Sequence, residues 1–131
     1  MMPNLYLFFS HSLTEDQEKE VYEKLKCEKI LPLKEELQKL WGQIPPEGEI
    51  SDTMVEPFMK YLSKETKPGD FVLIQGEFGV SFALVNWCIQ NDRIPIYATT
   101  KRLSLEEKQP DGSIKKINIF KHIQFRRYVI I

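Results

Sequence analysis

Three short polar clusters hold the side chains in this sequence that could do chemistry. They are Ser10-His11-Ser12, Gln75 to Gly79, and Thr99 to Arg102. Each cluster directly follows a short apolar run, which is typical of a buried strand in a parallel sheet. Ligands of such sheets bind beyond the carboxyl ends of the strands, so we expect the three clusters to converge on one edge. Their hydroxyls, imidazole, amide, backbone N–H groups and two cations favour a phosphodiester or a nucleotide as the ligand.

The middle cluster joins an apolar run at 71–74 to a nearly all-apolar segment that follows it. This pattern predicts a buried strand, a glycine-bearing turn and a helix buried on several sides, by the sheet and by another helix or a second subunit. The N–H groups from Gly76 to Gly79 would lie at the positive end of that helix, where they can hold a phosphate. Glu77 would repel a phosphate, and it could instead accept from a ribose hydroxyl or pair with a cation of the third cluster.

Ordinary structural roles compete with these functional ones. The two serines of the first cluster could cap a helix, and its histidine could simply lie on the surface. Most strand–glycine–helix turns only redirect the chain, and the threonines of the third cluster suit a strand that continues. Cations at a strand end have few structural duties. This makes Lys101 and Arg102 the best candidates for contact with a phosphate.

Apolar runs separated by helix-like segments predict the order β-α-β-α-α-β-α-β followed by a hairpin. The strands are expected at 5–9, 30–33, 71–74 and 94–98. Thr14 and Gln17 have the spacing of a capping box for the first helix, and the second helix is expected over 34–44. Asp111-Gly112 between two strand-like runs is a strong hairpin signal. The predicted fold class is therefore α/β, with a Rossmann-like, mostly parallel sheet flanked by helices and a C-terminal β-hairpin.

The composition is that of an ordinary globular protein. The 131 residues are 42% hydrophobic and 28% charged, which suits one domain over 1–131. No apolar run is long enough to cross a bilayer, and the start lacks the features of a secretory signal. Cys27 and Cys88 form no zinc-binding pattern, and two unpatterned cysteines suit a reducing compartment. We therefore expect a cytoplasmic protein without a membrane partner.

Charge is distributed unevenly along the chain. The formal net charge is −1, yet residues 101–131 hold 8 Lys or Arg against 3 Asp or Glu. A basic C-terminal third on an acidic body indicates either a local anion site or a solvated basic face. It does not favour binding of duplex nucleic acid.

Five stretches of the sequence resemble a known family. They are LYLFFSHSLT at 5–14, LPLKEELQKLWGQIPPE at 31–47, VLIQGEFGVSF at 72–82, IPIYATTKR at 94–102 and EKQPDGSIKKINIFKHIQFRRY at 107–128. Together they resemble the small CRISPR-associated Csx-type ring nucleases of type III CRISPR systems, which have a minimal CRISPR-associated Rossmann (CARF-like) fold. The resemblance implies a single CARF-like domain that forms a homodimer and binds cyclic oligoadenylate, above all cyclic tetra-adenylate, across its two-fold axis. Cleavage of that ring would switch off the antiviral signal.

The chemistry implied by the resemblance needs no metal and no cofactor. The ribose 2′-hydroxyl attacks the adjacent phosphate, and the linear product ends in a 2′,3′-cyclic phosphate. The protein positions the groups for in-line attack and stabilises the developing charge. The implied catalytic residues are Ser10, His11, Lys101 and Arg102, with His11 either a general base or an orienting group. The implied ligand contacts are Ser12, Gln75, Gly76, Glu77, Phe78, Gly79, Thr99, Thr100, Lys108, Lys115, His122 and Arg126.

Some of these roles stay open, and two other functions compete. The C-terminal hairpin could close over the ligand as a lid, while His122 and Arg126 could equally be structural. The same pocket could hold cyclic oligoadenylate without cutting it, since metal-free cleavage needs no distinctive residue. LFFSHS at 7–12 also resembles the first strand and loop of TIR domains, which can hydrolyse NAD. Those domains need a catalytic glutamate on a later helix, and none follows Trp87-Cys88 closely.

Overall fold

A computed structural model describes residues 2–131 of the chain. Its strands are β1 (Leu5–Phe8), β2 (Ile30–Pro32), β3 (Phe71–Ile74), β4 (Ile94–Lys108) and β5 (Ile114–Arg127). Its helices are α1 (Glu15–Glu23), α2 (Glu35–Trp41), α3 (Asp52–Glu65) and α4 (Phe78–Gln90). None of the helices within residues 2–131 has the length and apolar character needed to cross a membrane.

The five strands form one sheet in the order β2-β1-β3-β4-β5. Neighbouring strands from β2 to β4 are parallel, and β5 is antiparallel to β4. The predicted α/β class, with a mostly parallel sheet, flanking helices and a C-terminal antiparallel hairpin, is therefore confirmed. The order reverses between β1 and β3, because the chain leaves β1 toward one edge of the sheet and returns to β3 on its other side.

Alternation of side chains along the strands divides the core into two layers. Leu5 and Leu7 of β1 pack with Leu73 of β3 against Val21 of α1 on one face. The intervening side chains point the other way, as the two-residue period of a strand requires. On that second face, Phe8, Val72 and Ile74 pack against α2, α3 and α4. Both faces of β1 and β3 are thus buried, which explains why these strands are continuously apolar.

The start of α1 is confirmed in detail. The Thr14 hydroxyl accepts from the Gln17 N–H at 3.2 Å, and the Gln17 side chain accepts from the Thr14 N–H at 2.9 Å. This capping box leaves the serines at 10 and 12 outside the helix. The prediction for the second helix was too long, since α2 covers 35–41 rather than 34–44.

The predicted end of β4 was wrong. The strand does not stop at Ala98 but continues to Lys108, and it includes the run that was expected to be a separate strand. The physical reason is its partner, because β5 goes on pairing with β4 after β3 has ended at Ile74. A bulge next to Thr99 and Thr100 accommodates the change in register. The two strands therefore continue beyond the sheet as a two-stranded ribbon.

Both cysteines are expected to resist alkylation in the folded protein. Burial raises the pKa of the Cys27 thiol to about 11 and that of the Cys88 thiol to about 12. The reactive species is the thiolate, and at pH 8 neither group forms it appreciably. We expect iodoacetamide at pH 8 to label neither cysteine in buffer and both in denaturant, as read by intact mass. Rapid labelling of the native chain would contradict this burial.

Candidate functional site

The place where the strand order reverses is filled by the protein itself. The Gln38 side chain donates to the Phe9 carbonyl at 2.8 Å, and Trp41 Nε1 donates to the Gln75 carbonyl at 3.2 Å. Both side chains come from α2, which lies across the carboxyl ends of β1 and β3. In open α/β sheets this crevice commonly holds the ligand. Here α2 closes it.

An open cavity lies beside that crevice, on the α1 side of the loop that follows β1. Its volume is about 500 Å³, which is within the usual range for small-molecule sites. Ser10, His11 and Ser12 all line it and are exposed. The first polar cluster therefore follows β1 directly and is accessible from solvent.

The rest of the cavity wall is mainly apolar. Leu7, Leu13 and Ile30 contribute aliphatic surface, and Tyr22 contributes an aromatic ring. The His11 ring meets the Phe9 ring edge to face, with 5.4 Å between centroids. Such a wall suits a flat heteroaromatic group whose edges can reach hydroxyls and an imidazole.

The charge around the cavity is not that of a complete phosphate site. Among the residues of 2–131 that line it, Glu18 is the charged one and no Lys or Arg takes part. An anionic ligand would need its cations from outside this wall. Glu18 and Tyr22 were not among the predicted site residues, although their spacing of four residues on α1 places them on one helix face. Gln38 was not among them either, and the sequence holds no signal for it.

Glu77 already takes one N–H group of the predicted phosphate cradle at 76–79, that of Gly79, and the N–H of the next residue. Its two carboxylate oxygens accept from the N–H groups of Gly79 and Val80, each at 2.9 Å. Glu77 is thus the N-cap of α4, where the helix dipole favours a negative charge. This corrects the expectations for that turn, because the Gly79 N–H is not free and Glu77 pairs with the helix rather than with Lys101 or Arg102.

Gly76 and Gln75 have structural duties that the sequence did not reveal. A Cβ on Gly76 would lie 2.6 Å from the Trp41 ring, so packing against Trp41 requires glycine at this position. The Gln75 side chain accepts from the Ala98 N–H at 2.7 Å, which ties β3 to β4. Phe78, the next predicted contact, is 91% exposed and begins α4.

The third cluster lies within β4 and not in a loop. The Thr99 hydroxyl donates to the Gln124 carbonyl at 2.9 Å, and Thr100 pairs with His122 in the strand register. Lys101 pairs with Lys121 and Arg102 with Phe120. Successive residues of a strand point to opposite faces, so Lys101 and Arg102 cannot both reach one site on the same chain. Ala98 packs on the α1 side, and alternation from it puts Arg102 on that side and Lys101 on the other.

The remaining predicted contacts are dispersed along β4 and β5. Lys108 and Lys115 lie near the ribbon tip, and Arg126 is exposed near the base. His122 is only 5% exposed in its side chain, and its Nε2 lies 2.7 Å from a Glu20 carboxylate oxygen. This corrects the ligand role considered for His122, because the ring joins β5 to α1.

The fold and the cavity together define an open-sheet α/β protein with a ligand-sized site at the carboxyl end of its first strand. The chain belongs to the family described as the uncharacterized protein MJ1673 family, which it matches over residues 3–126. It is 44% identical over 127 residues to the uncharacterized protein MJ1673 of Methanocaldococcus jannaschii, with 97% of this chain and 98% of that protein covered. No solved structure matches the chain significantly. The family match includes the cavity loop, all of β4 and all but the last residue of β5.

Proposed function

We propose that this protein binds cyclic oligoadenylate, with cyclic tetra-adenylate as the first candidate, and cleaves it without a metal ion. The observation that carries the proposal is the exposed Ser10-His11-Ser12 loop, which lines a cavity of about 500 Å³ at the carboxyl end of β1. The resemblance to Csx-type ring nucleases rests on this loop among other stretches. In this proposal the sheet is a minimal Rossmann-like, CARF-like sheet.

The cavity wall suits one adenine of the ring. Bases stack on aromatic side chains with little dependence on sequence, and Phe9, His11 and Tyr22 supply such rings. The hydroxyls of Ser10 and Ser12 would then meet the ribose and its phosphate. Arg102 lies on the same side of the sheet, on β4, which is separated from β1 by β3 alone. Two strand spacings give a sideways offset of about 10 Å. Arg102 also lies further along β4, past the end of β3, and a ring of four nucleotides offers phosphates at more than one place.

The proposed reaction is an internal transfer of a phosphodiester bond. The 2′-oxygen bonds to the adjacent phosphorus, the bond from phosphorus to the 5′-oxygen breaks, and the 5′-oxygen takes up a proton. The 2′-hydroxyl gives up its proton to a base. In this proposal His11 is that base, or the acid that protonates the 5′-oxygen. The serine hydroxyls and Arg102 would orient the phosphate and stabilise its charge in the transition state.

Turnover of radiolabelled cyclic tetra-adenylate in EDTA tests the proposal. We expect linear products that end in a 2′,3′-cyclic phosphate, formed over many protein equivalents. His11→Ala should lower the rate by about 10²- to 10⁴-fold, the range for loss of a general acid or base. Arg102→Ala should lower it roughly 10- to 100-fold, as expected for loss of a charged hydrogen-bond donor.

Lys101→Ala is the matched control, since it removes a neighbouring cation from the opposite face of β4. Equal losses from Lys101→Ala and Arg102→Ala would contradict the assignment of Arg102. Full activity in His11→Ala and Ser10→Ala would exclude the cavity as the site. NAD assayed beside the cyclic adenylate separates this activity from that of a TIR-like hydrolase.

Binding without cleavage is a second candidate, and the charge of the site favours it. No cation among residues 2–131 lines the cavity, and Glu77 occupies the N–H groups that could otherwise stabilise a phosphorane. Such a site could hold the ring through its bases. In the same assay, tight binding with intact ligand after prolonged incubation would support this candidate and exclude cleavage.

A further inference from the structure

The ribbon has one apolar face that is open to solvent. Residues 100–108 of β4 pair with 114–122 of β5, and we call this part of the hairpin the ribbon. In its register Leu103 pairs with Ile119, and Leu105 with Ile117. Leu105 is 49% exposed and Ile119 is 43% exposed. We call these four side chains the ribbon face.

Alternation places the ribbon face on the α4 side of the sheet. Ile96 and Ala98 pack into the α1 layer, so Tyr97 points the other way. Its ring meets Tyr128, with 4.8 Å between centroids, and Tyr128 packs into the α4 layer. Every second residue after Tyr97 continues on that side, through Leu103 and Leu105. The stability of an isolated two-stranded hairpin in water is marginal. The exposed apolar face of the ribbon is therefore a surface that a partner would cover.

Helix α4 exposes a second apolar surface on the same side. Phe82 is 76% exposed, and it lines a cavity of about 460 Å³ with Val129 and Ile130. Phe78 is more exposed still. We call Phe78, Phe82, Val129 and Ile130 the helix patch. Contiguous exposed apolar patches larger than a few hundred Å² mark interaction sites, and each phenylalanine can bury roughly 150–250 Å².

We propose that the ribbon face of one copy of this chain packs on the helix patch of a second copy, reciprocally, in a two-fold dimer. Within one chain, the sheet already covers one side of α4. The proposed contact covers the opposite side of α4 in the same way, with the ribbon face of the second copy. One chain carries both halves of that contact, and a two-fold axis forms it twice in a closed assembly. The occupant is thus a second copy rather than an unrelated protein.

Size and charge fit this occupant. Residues 100–108 of β4 span about 30 Å at the rise of a strand. Helix α4 has 13 residues. At the rise of a helix this length corresponds to about 20 Å, so the ribbon is long enough to lie along the helix. Two such contacts would bury roughly 1,200–2,000 Å², the standard size of a stable interface. Lys101 and Lys121 lie beside the ribbon face. The segment 78–90 holds no charged residue, so α4 has no positive charge that would repel these lysines.

This contact would form the homodimer that the resemblance implies. Its evidence is exposed apolar surface, and its test uses the protein without ligand. Its failure can therefore be distinguished from failure of the proposed ring cleavage. Sedimentation velocity of the full chain over a concentration series should show a dimer. Leu105→Glu on the ribbon face and Phe82→Glu on the helix patch should each raise the dimer Kd at least about tenfold. Ser104→Glu is the matched control, because Ser104 lies beside Leu105 on the opposite face of β4, and it should leave the dimer intact.

Each outcome decides for or against the proposal. Dissociation by both surface variants with an intact Ser104→Glu dimer supports the reciprocal contact. A wild-type chain that stays monomeric, or that forms open higher oligomers, overturns it. Dissociation by only one of the two variants also overturns it, since each contact needs both surfaces. Far-UV circular dichroism checks folding, and Phe78→Glu serves as a second variant of the helix patch.

Discussion

Replacing Trp41 by alanine is expected to lower the free energy of unfolding by about 3–5 kcal/mol, the range for removing a buried large aromatic side chain. Trp41 is almost fully buried. Its ring meets the rings of Phe8 and Phe58 edge to face, with centroid distances of 5.4 and 5.3 Å. Its Nε1 also donates to the Gln75 carbonyl. The substitution removes these contacts together and leaves a cavity over Gly76.

Urea unfolding, followed by circular dichroism, measures this change in the free energy of unfolding. Trp87 remains in the variant and gives a second signal by fluorescence. Trp41→Phe is the matched control, since it keeps a ring against Phe8 and Phe58 but loses the hydrogen bond. Its loss of stability should be clearly smaller. A change below about 1 kcal/mol for Trp41→Ala would show that α2 is not held by this ring.

The sequence was sufficient for the main elements of the fold because their signals are local. Apolar runs place β1 and β3, and a capping box places the start of α1. Asp111-Gly112 places the hairpin turn, where the Asp111 carboxylate accepts from the Ser113 N–H at 2.9 Å. Each signal lies within a few residues of the feature that it specifies. The position of the Ser10-His11-Ser12 loop follows directly from the end of β1.

The rest of the site depends on contacts between residues far apart in the chain. Gly76 looks like a phosphate-binding glycine until Trp41, from a distant part of the sequence, is found against it. The length of β4 depends on β5, whose pairing extends the strand past Ala98. Once that pairing is known, the alternation of a strand separates Lys101 from Arg102. The sequence therefore predicts which residues are polar and follow strands, but not which of them share a face.

Replacing Glu20 by alanine is expected to lower the free energy of unfolding by about 2–6 kcal/mol and to loosen the ribbon base. One Glu20 oxygen pairs with His122 Nε2 at 2.7 Å, and the other accepts from the Phe125 N–H at 2.9 Å. Alanine leaves a buried ring nitrogen and a backbone N–H without partners, at about 1–3 kcal/mol each. Urea unfolding measures the stability, and hydrogen exchange of the Phe125 amide measures the local loosening.

Glu20→Gln separates the hydrogen bonds of Glu20 from its charge. The amide oxygen can accept from the Phe125 N–H, and the amide NH₂ can donate to Nε2 of a neutral His122. The variant should therefore keep most of the stability and protect the Phe125 amide. If Glu20→Gln is as damaging as Glu20→Ala, then charge and not the hydrogen bonds holds the ribbon to α1. Because the ribbon face is presented from this base, Glu20→Ala should also raise the dimer Kd, whereas Glu20→Gln should not.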